Sequence, residues 1–209
     1  AIDYADAVYF SLGKLNMRVN AKGIPQERLT EFVQRAHEKN VKVYITLNVI
    51  VYDGERELAD QLVKECQQAG VDAIICWDIA VIQACKRYNV PFHMSTQANI
   101  SNSTAAQFYK DLGAERVVLA RECTLEQIKQ VKQKVDVELE VFIHGAMCVS
   151  VSGRCFMSYE LYGHSANKGD CFQPCRRSYQ IRDPETGKEL DIHDGYVMSP
   201  KDLCALPLL

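Results

Sequence analysis

Short β-rich runs alternate with longer amphipathic stretches along this 209-residue chain, and that alternation predicts an α/β fold built on parallel strands. Two further observations sharpen the expectation. The strand candidates read as near-continuous Val/Ile runs, as strands buried on both faces do. Seven of them can be counted, one short of a closed eight-stranded TIM-like barrel, and Ala1-Ile-Asp-Tyr-Ala5 reads as the tail of a helix that follows an earlier strand. The expected architecture is therefore a TIM-like (β/α)8 barrel whose first strand is missing from this chain. An open doubly wound sheet is the alternative, but no Gly-rich phosphate loop follows any strand.

In order, strands are expected at Ala7–Phe10, Val41–Asn48, Ala73–Asp78, Phe92–Thr96, Arg116–Ala120, Leu139–His144 and Tyr196–Ser199. Helical periodicity fills the intervals at Gln26–Asn40, Glu55–Ala69, Ile79–Tyr88, Ser103–Leu112 and Leu125–Lys134, with a further helix starting at Asp202 after Pro200. The punctuation agrees: Gly70 and Gly113 sit where helix C-caps belong, Thr124 with Gln127 makes a capping box, and Pro91 separates a helix from a strand. From Cys148 to 195 the alternation breaks down, and Tyr179–Arg182 with Leu190–Ile192 flank Asp183-Pro-Glu-Thr-Gly187 as a β-hairpin. The chain thus divides into barrel elements at 1–147, a cysteine-rich insertion at 148–195, and a last strand with the start of a helix at 196–209. An insertion of that length after a barrel strand falls on the face where such folds build their sites.

Composition narrows the classes. With 47% hydrophobic and 24% charged residues the chain can bury one sizeable core, and its apolar runs are too short to span a bilayer. A net charge of -3 leaves no global basic field, so nucleic acid would need a local patch. Nine cysteines, an odd number, without a secretory leader point to a reduced, cytoplasmic protein with a thiolate-ligated site.

The cysteines divide into two groups. Cys66, Cys76 and Cys85 fall within regular elements and read as small core residues, and Cys123 as filler beside a helix cap. Cys148, Cys155, Cys171 and Cys175, with Cys204 further on, lie outside the regular barrel, where four thiolates could converge on a soft metal centre. Only Cys171 and Cys175 are closely spaced, so paired-cysteine structural zinc is the less fitting choice, and an iron–sulfur cluster tolerates the spacing better. Cys148, Cys155 and Cys171 are the expected ligands. Cys204 is preferred as the fourth because its segment leaves a strand end and turns into a helix on the same face, and Cys175 is held in reserve.

Polar residues at strand C-termini are candidates to line a pocket: Asn48, Asp78, Gln97, Arg121, Glu122 and His144. His144, four residues before a thiol, with Arg121 and Glu122, is the catalytic choice; Asn48, Asp78, Gln97, Arg176 and Arg177 are the substrate-binding one. Asp78 reads equally well as a helix N-cap. Lys168, Arg176, Arg177 and Arg182 supply a local basic patch, with Phe172 and Tyr179 available to stack on RNA bases.

The segments Val141-Phe-Ile-His-Gly-Ala-Met-Cys-Val-Ser-Val-Ser-Gly-Arg-Cys-Phe-Met-Ser158, Ser165-Ala-Asn-Lys-Gly-Asp-Cys-Phe-Gln-Pro-Cys-Arg-Arg177 and Met198-Ser-Pro-Lys-Asp-Leu-Cys204 strongly resemble the collagenase-like peptidases of family U32. Ala1-Ile-Asp-Tyr-Ala-Asp-Ala-Val-Tyr-Phe10 and Asn16-Met-Arg18 resemble that family's N-terminal region, so the resemblance runs over nearly the whole chain. It implies two activities. One is peptide hydrolysis, the other 4Fe-4S-dependent, oxygen-independent hydroxylation of a tRNA uridine, an rRNA cytidine or a ubiquinone precursor. Local hydrolase motifs are missing: His37-Glu38 is followed by Val41 where a zinc helix needs a second histidine, and no Gly-x-Ser-x-Gly elbow occurs. The expected function is RNA-base hydroxylation, ahead of a peptidase and of a cluster-bearing scaffold that acts with a partner subunit or a second copy.

Overall fold

The structure, a computed structural model, describes residues 2–21, 23–190 and 195–208. Six strands form one parallel sheet in strictly sequential order: β1 (Ala7–Ser11), β2 (Lys42–Leu47), β3 (Ala73–Cys76), β4 (Phe92–Met94), β5 (Arg116–Val118) and β6 (Glu138–Glu140). The connecting helices are α1 (Leu29–His37), α2 (Arg56–Ala69), α3 (Ile79–Tyr88), α4 (Ser103–Leu112) and α5 (Leu125–Lys134). Right-handed crossovers in a sequential sheet put every helix on one side. The result is a curled half-barrel with β1 and β6 as its edges. Closure into a full barrel is not seen among the described residues.

Register separates the two faces. The outer row Leu47–Cys76–Met94–Val117–Leu139 runs across five strands, and all five residues pack in one cluster with Val33, Leu62, Ile82 and Val131 of the helices. The inner row Ser11–Thr46–Ile75–His93–Arg116–Glu138 crosses all six strands and is mostly polar. There Arg116 pairs with Glu138 and Glu140 and lies over the Tyr44 ring, which meets His93 edge-on. His93 is 4% exposed and its Nδ1 has no partner. Burial, with Arg116 nearby, pushes its pKa down to about 4, so the ring is neutral at neutral pH.

The helix ends follow the expected chemistry. Gly70 and Gly113 cap α2 and α4 in the left-handed conformation, and Thr124 with Gln127 forms the capping box of α5. Cys66 of α2, Cys76 of β3 and Cys85 of α3 are fully buried, and burial pushes the Cys66 thiol up to about 12, consistent with an inert core residue.

The C-terminal third departs from expectation. The strand over Leu139–His144 splits into β6 and a separate two-residue β7 (His144–Gly145). Tyr196–Ser199 is not a strand: Val197 and Met198 lie in a turn. The helix from Asp202 is replaced by β10 (Leu203–Cys204), antiparallel to β7, and a 3-10 turn at Leu206–Leu208. Arg176 explains the change, because its guanidinium bonds Ser199 Oγ at 3.0 Å, Pro200 O at 3.2 Å and Asp202 Oδ1 at 2.9 Å. Those bonds, with a proline that has no amide to give a ladder, hold the segment as an irregular strap. The hairpin appears as β8 (Ile181–Arg182) with β9 (Glu189–Leu190), and Ile192 lies outside the described residues. A short helix, α6 (Met157–Tyr162), completes the cysteine-rich segment.

Candidate functional site

A cavity of about 450 Å³ opens at the C-terminal ends of the strands, between the half-barrel and the start of the cysteine-rich segment. Asn48, Gln97, Arg121 and His144, all chosen from sequence, line it. Tyr9 and Phe142 add apolar walls. Met147 also lines it and is bonded to Cys148, so the cavity reaches the first thiol of the segment.

Each polar wall is fixed differently. Asn48 Oδ1 accepts the Met17 amide at 3.0 Å and its Nδ2 faces Ser95 Oγ at 3.4 Å, which ties the β1–α1 loop to the strand ends. Arg121 Nη2 donates to Ser152 Oγ at 2.7 Å, while its Nε is buried and unpartnered. Gln97 Oε1 is likewise buried without a partner. Gly153, in the left-handed region at φ 70, lies so close to it that a Cβ there would meet Gln97 Oε1 at 2.7 Å. His144 sits on β7 with its side chain exposed toward the cavity.

Other expected residues are elsewhere. Asp78 accepts the Ala80 amide at 2.9 Å and the Val51 amide at 3.0 Å, so it is the N-cap of α3 and a loop tie, and it is not among the cavity walls. Glu122 is exposed next to Cys123, whose thiol burial pushes up. Arg176 spends its guanidinium on the C-terminal strap and on Met147 O at 2.8 Å. Arg177 lies over the Tyr162 ring, and Lys168 pairs with Glu55 at 2.7 Å. Phe172 packs against His164, and Tyr179 Oη donates to Pro174 O at 2.7 Å. The basic patch read from the sequence is therefore largely engaged within the molecule.

Cys148, Cys155, Cys171 and Cys175 all lie in the cysteine-rich segment, the first and third exposed and the other two half-buried. Burial pushes the Cys171 and Cys175 thiols up, and the thiols of Cys148 and Cys155 push both in the same direction. Gln173 directs its amide at Cys171 Sγ at 3.4 Å. Cys204, preferred from sequence as the fourth ligand, is exposed on β10 opposite His144. The helix that was to carry it onto the same face is a strand. Among the described residues no three His, Cys, Asp or Glu side chains are arranged to share one metal ion.

Residues missed from sequence include Met17 and Arg18, which line the cavity from the β1–α1 loop, and Asn99, whose Nδ2 donates to Ser152 O at 2.9 Å. The Asn16-Met-Arg motif carried a signal for the first two. Asn99 left none, since its role depends on a left-handed turn at φ 53.

Residues 1–209 match the model of peptidase family U32. The chain belongs to that family. An uncharacterized protease of Methanocaldococcus jannaschii is 45% identical to it, over 99% of this chain and 52% of that protein. A collagenase of Porphyromonas gingivalis is 39% identical, over 95% and 51%. A tRNA hydroxylation protein P1 of Bacillus subtilis is 37% identical, over 97% and 50%. The chain thus spans about half the length of these curated relatives. The solved structure of a U32 peptidase superposes with a TM-score of 0.58 at 15% identity, covering 69% of this chain and 63% of that one, a likeness of fold alone. No helix among the described residues is long and apolar enough to cross a membrane.

Proposed function

We propose that this U32 chain is the cluster-binding part of an oxygen-independent RNA-base hydroxylase acting in the cytoplasm, with Cys148, Cys155, Cys171 and Cys175 as the thiolates that hold a 4Fe-4S cluster. The observation that carries this reading is that Cys148 directly follows the cavity wall Met147, and that Cys148 and Cys155 lie near enough to Cys171 and Cys175 to push both thiols up. The uneven spacing of these cysteines, with only Cys171 and Cys175 close in sequence, suits an iron–sulfur cluster better than a paired-cysteine zinc site. The tRNA hydroxylation relative supports an RNA substrate.

The bound cluster would supply one-electron redox chemistry at the cavity. The chain's own residues do the rest. Asn48, Gln97 and Arg121 present amide and guanidinium groups to a ring's polar edge, Tyr9 and Phe142 offer apolar surface to its faces, and His144 is placed to take or give a proton. Replacing a ring C–H by C–OH is a two-electron oxidation and needs an oxygen donor and an electron acceptor, both supplied from outside this chain. A peptidase is the second reading, favoured by the collagenase and protease relatives.

Anaerobic preparation of the full-length protein, followed by iron and sulfide analysis and by mass spectrometry of RNA from a deletion strain, tests this. Four irons, and hydroxylation restored by the wild-type gene but not by Cys155→Ser, are expected. Peptide cleavage that survives loss of the thiols would overturn it.

A further inference from the structure

Among the described residues seven polar or charged side chains are buried, and three of them, Ser152, Ser158 and Asn167, lie in the cysteine-rich segment. Each bonds at or beside the thiol-bearing backbone. Asn167 Oδ1 accepts the amide of Cys155 itself at 2.8 Å. Ser158 Oγ accepts the amide of Phe172, the residue after Cys171, at 3.1 Å. Ser152, midway between Cys148 and Cys155, is gripped on both sides: Arg121 donates to its hydroxyl and Asn99 to its carbonyl. Buried hydrogen bonds of this kind are costly to lose, because the group left behind has no water to turn to.

Resting on the cluster reading above, we infer that Ser152, Ser158 and Asn167 are positioning residues that hold the backbone of the thiol nest in place whether or not a cluster is present. Metal sites in small domains usually fold with their metal, because the unfolded chain holds no preformed site. Here the backbone on either side of the thiols is tied by side chains of this chain, two of them from the half-barrel, so the nest is part of the fold. Arg121, chosen from the sequence as catalytic, acts on this side of its geometry as a clamp on the loop that carries two of the thiols.

Asn167 gives the sharpest test. In iron-free full-length protein, the Cys155 amide of the wild type is expected to be protected from hydrogen exchange, and Asn167→Ala to raise its exchange about tenfold or more, the factor set by one buried hydrogen bond. Asn167→Asp keeps an acceptor oxygen and is expected to restore protection. In the iron-loaded protein, Asn167→Ala is expected to lose its visible absorption to a chelator about tenfold faster than wild type or Asn167→Asp. An unprotected Cys155 amide in the iron-free wild type, or equal loss rates for Asn167→Ala and wild type, overturns the inference. Should Asn167→Ala fail to fold, Ser158→Ala read at the Phe172 amide answers the same question with the same two outcomes. A wild type that takes up no iron yet protects Cys155 overturns the cluster reading and leaves the preformed nest standing, which separates the two.

Discussion

Across residues 7–140 the molecule buries Leu47, Ile74, Met94, Val117 and their neighbours between a sheet and its helices, whereas from Cys148 to Cys175 its buried residues are Ser152, Ser158, Ala166, Asn167, Gly169 and Pro174. No large aliphatic side chain is among the second set. The big apolar groups of that segment point outward, with Phe156 72% exposed. Apolar area drives the first region's order, and hydrogen bonds with close backbone approach order the second. Gly169 shows the approach: at φ 84, a Cβ there would lie 2.0 Å from Asn16 O. The lesson is that the two regions answer to different perturbations.

Truncating the outer row should produce the largest loss. Leu47→Ala, at a fully buried position, is expected to cost about 2–5 kcal/mol in urea unfolding; a cost below about 1 kcal/mol would break the claim that this face carries the core. Acid should act on the inner face next. His93 has its pKa lowered from 6.5 to about 4 in the folded state. The unfolded chain therefore binds a proton first as pH falls, so its contribution is complete above about 6.5 and is lost between there and about 4, about 3 kcal/mol in all. Arg116, Lys42 and Glu138 face the same ring, and a His93→Gln variant should flatten that part of the pH–stability curve. A smaller effect is expected from Asp78→Ala, which strips the cap of α3 and the Val51 tie, at about 1–2 kcal/mol by the same unfolding measurement. If the same change instead abolished activity with stability intact, Asp78 would belong to the cavity after all. The smallest expected effect sharpens the second region: Cys204→Ser should leave stability within about 0.5 kcal/mol and iron content unchanged, while Cys175→Ser loses iron. Reversed iron losses would return the fourth place to Cys204.

Much of the half-barrel was legible because its signals are local. Ile79–Tyr88, Ser103–Leu112 and Leu125–Lys134 begin and end where periodicity and caps put them, since N-cap hydroxyls, amides and carboxylates act within three or four residues. Asn48, Gln97 and Arg121 reached the cavity because strand C-termini of a parallel sheet converge there, and His144 reached it on the short β7 that follows β6. Tyr196–Ser199 misled because its short apolar run is real, yet Arg176, twenty or so residues earlier, takes the acceptors that surround it.

By itself the amino-acid sequence determined the parallel α/β order of the first 140 residues, the apolar helix-facing surface, and the gathering of chemistry-bearing residues between His144 and Arg177. The periods of 2 and 3.6 and the cysteine count are properties of the string. Tertiary structure alone decided that β1 and β6 are sheet edges, that Asp78 is a cap, that Arg176 is a strap, and that Cys204 lies on a short strand opposite His144 and not at the start of a helix. Those outcomes rest on which buried donor finds which acceptor across long stretches of chain, such as Arg121 with Ser152 or Asn167 with Cys155, and pairing of that kind leaves no periodic trace.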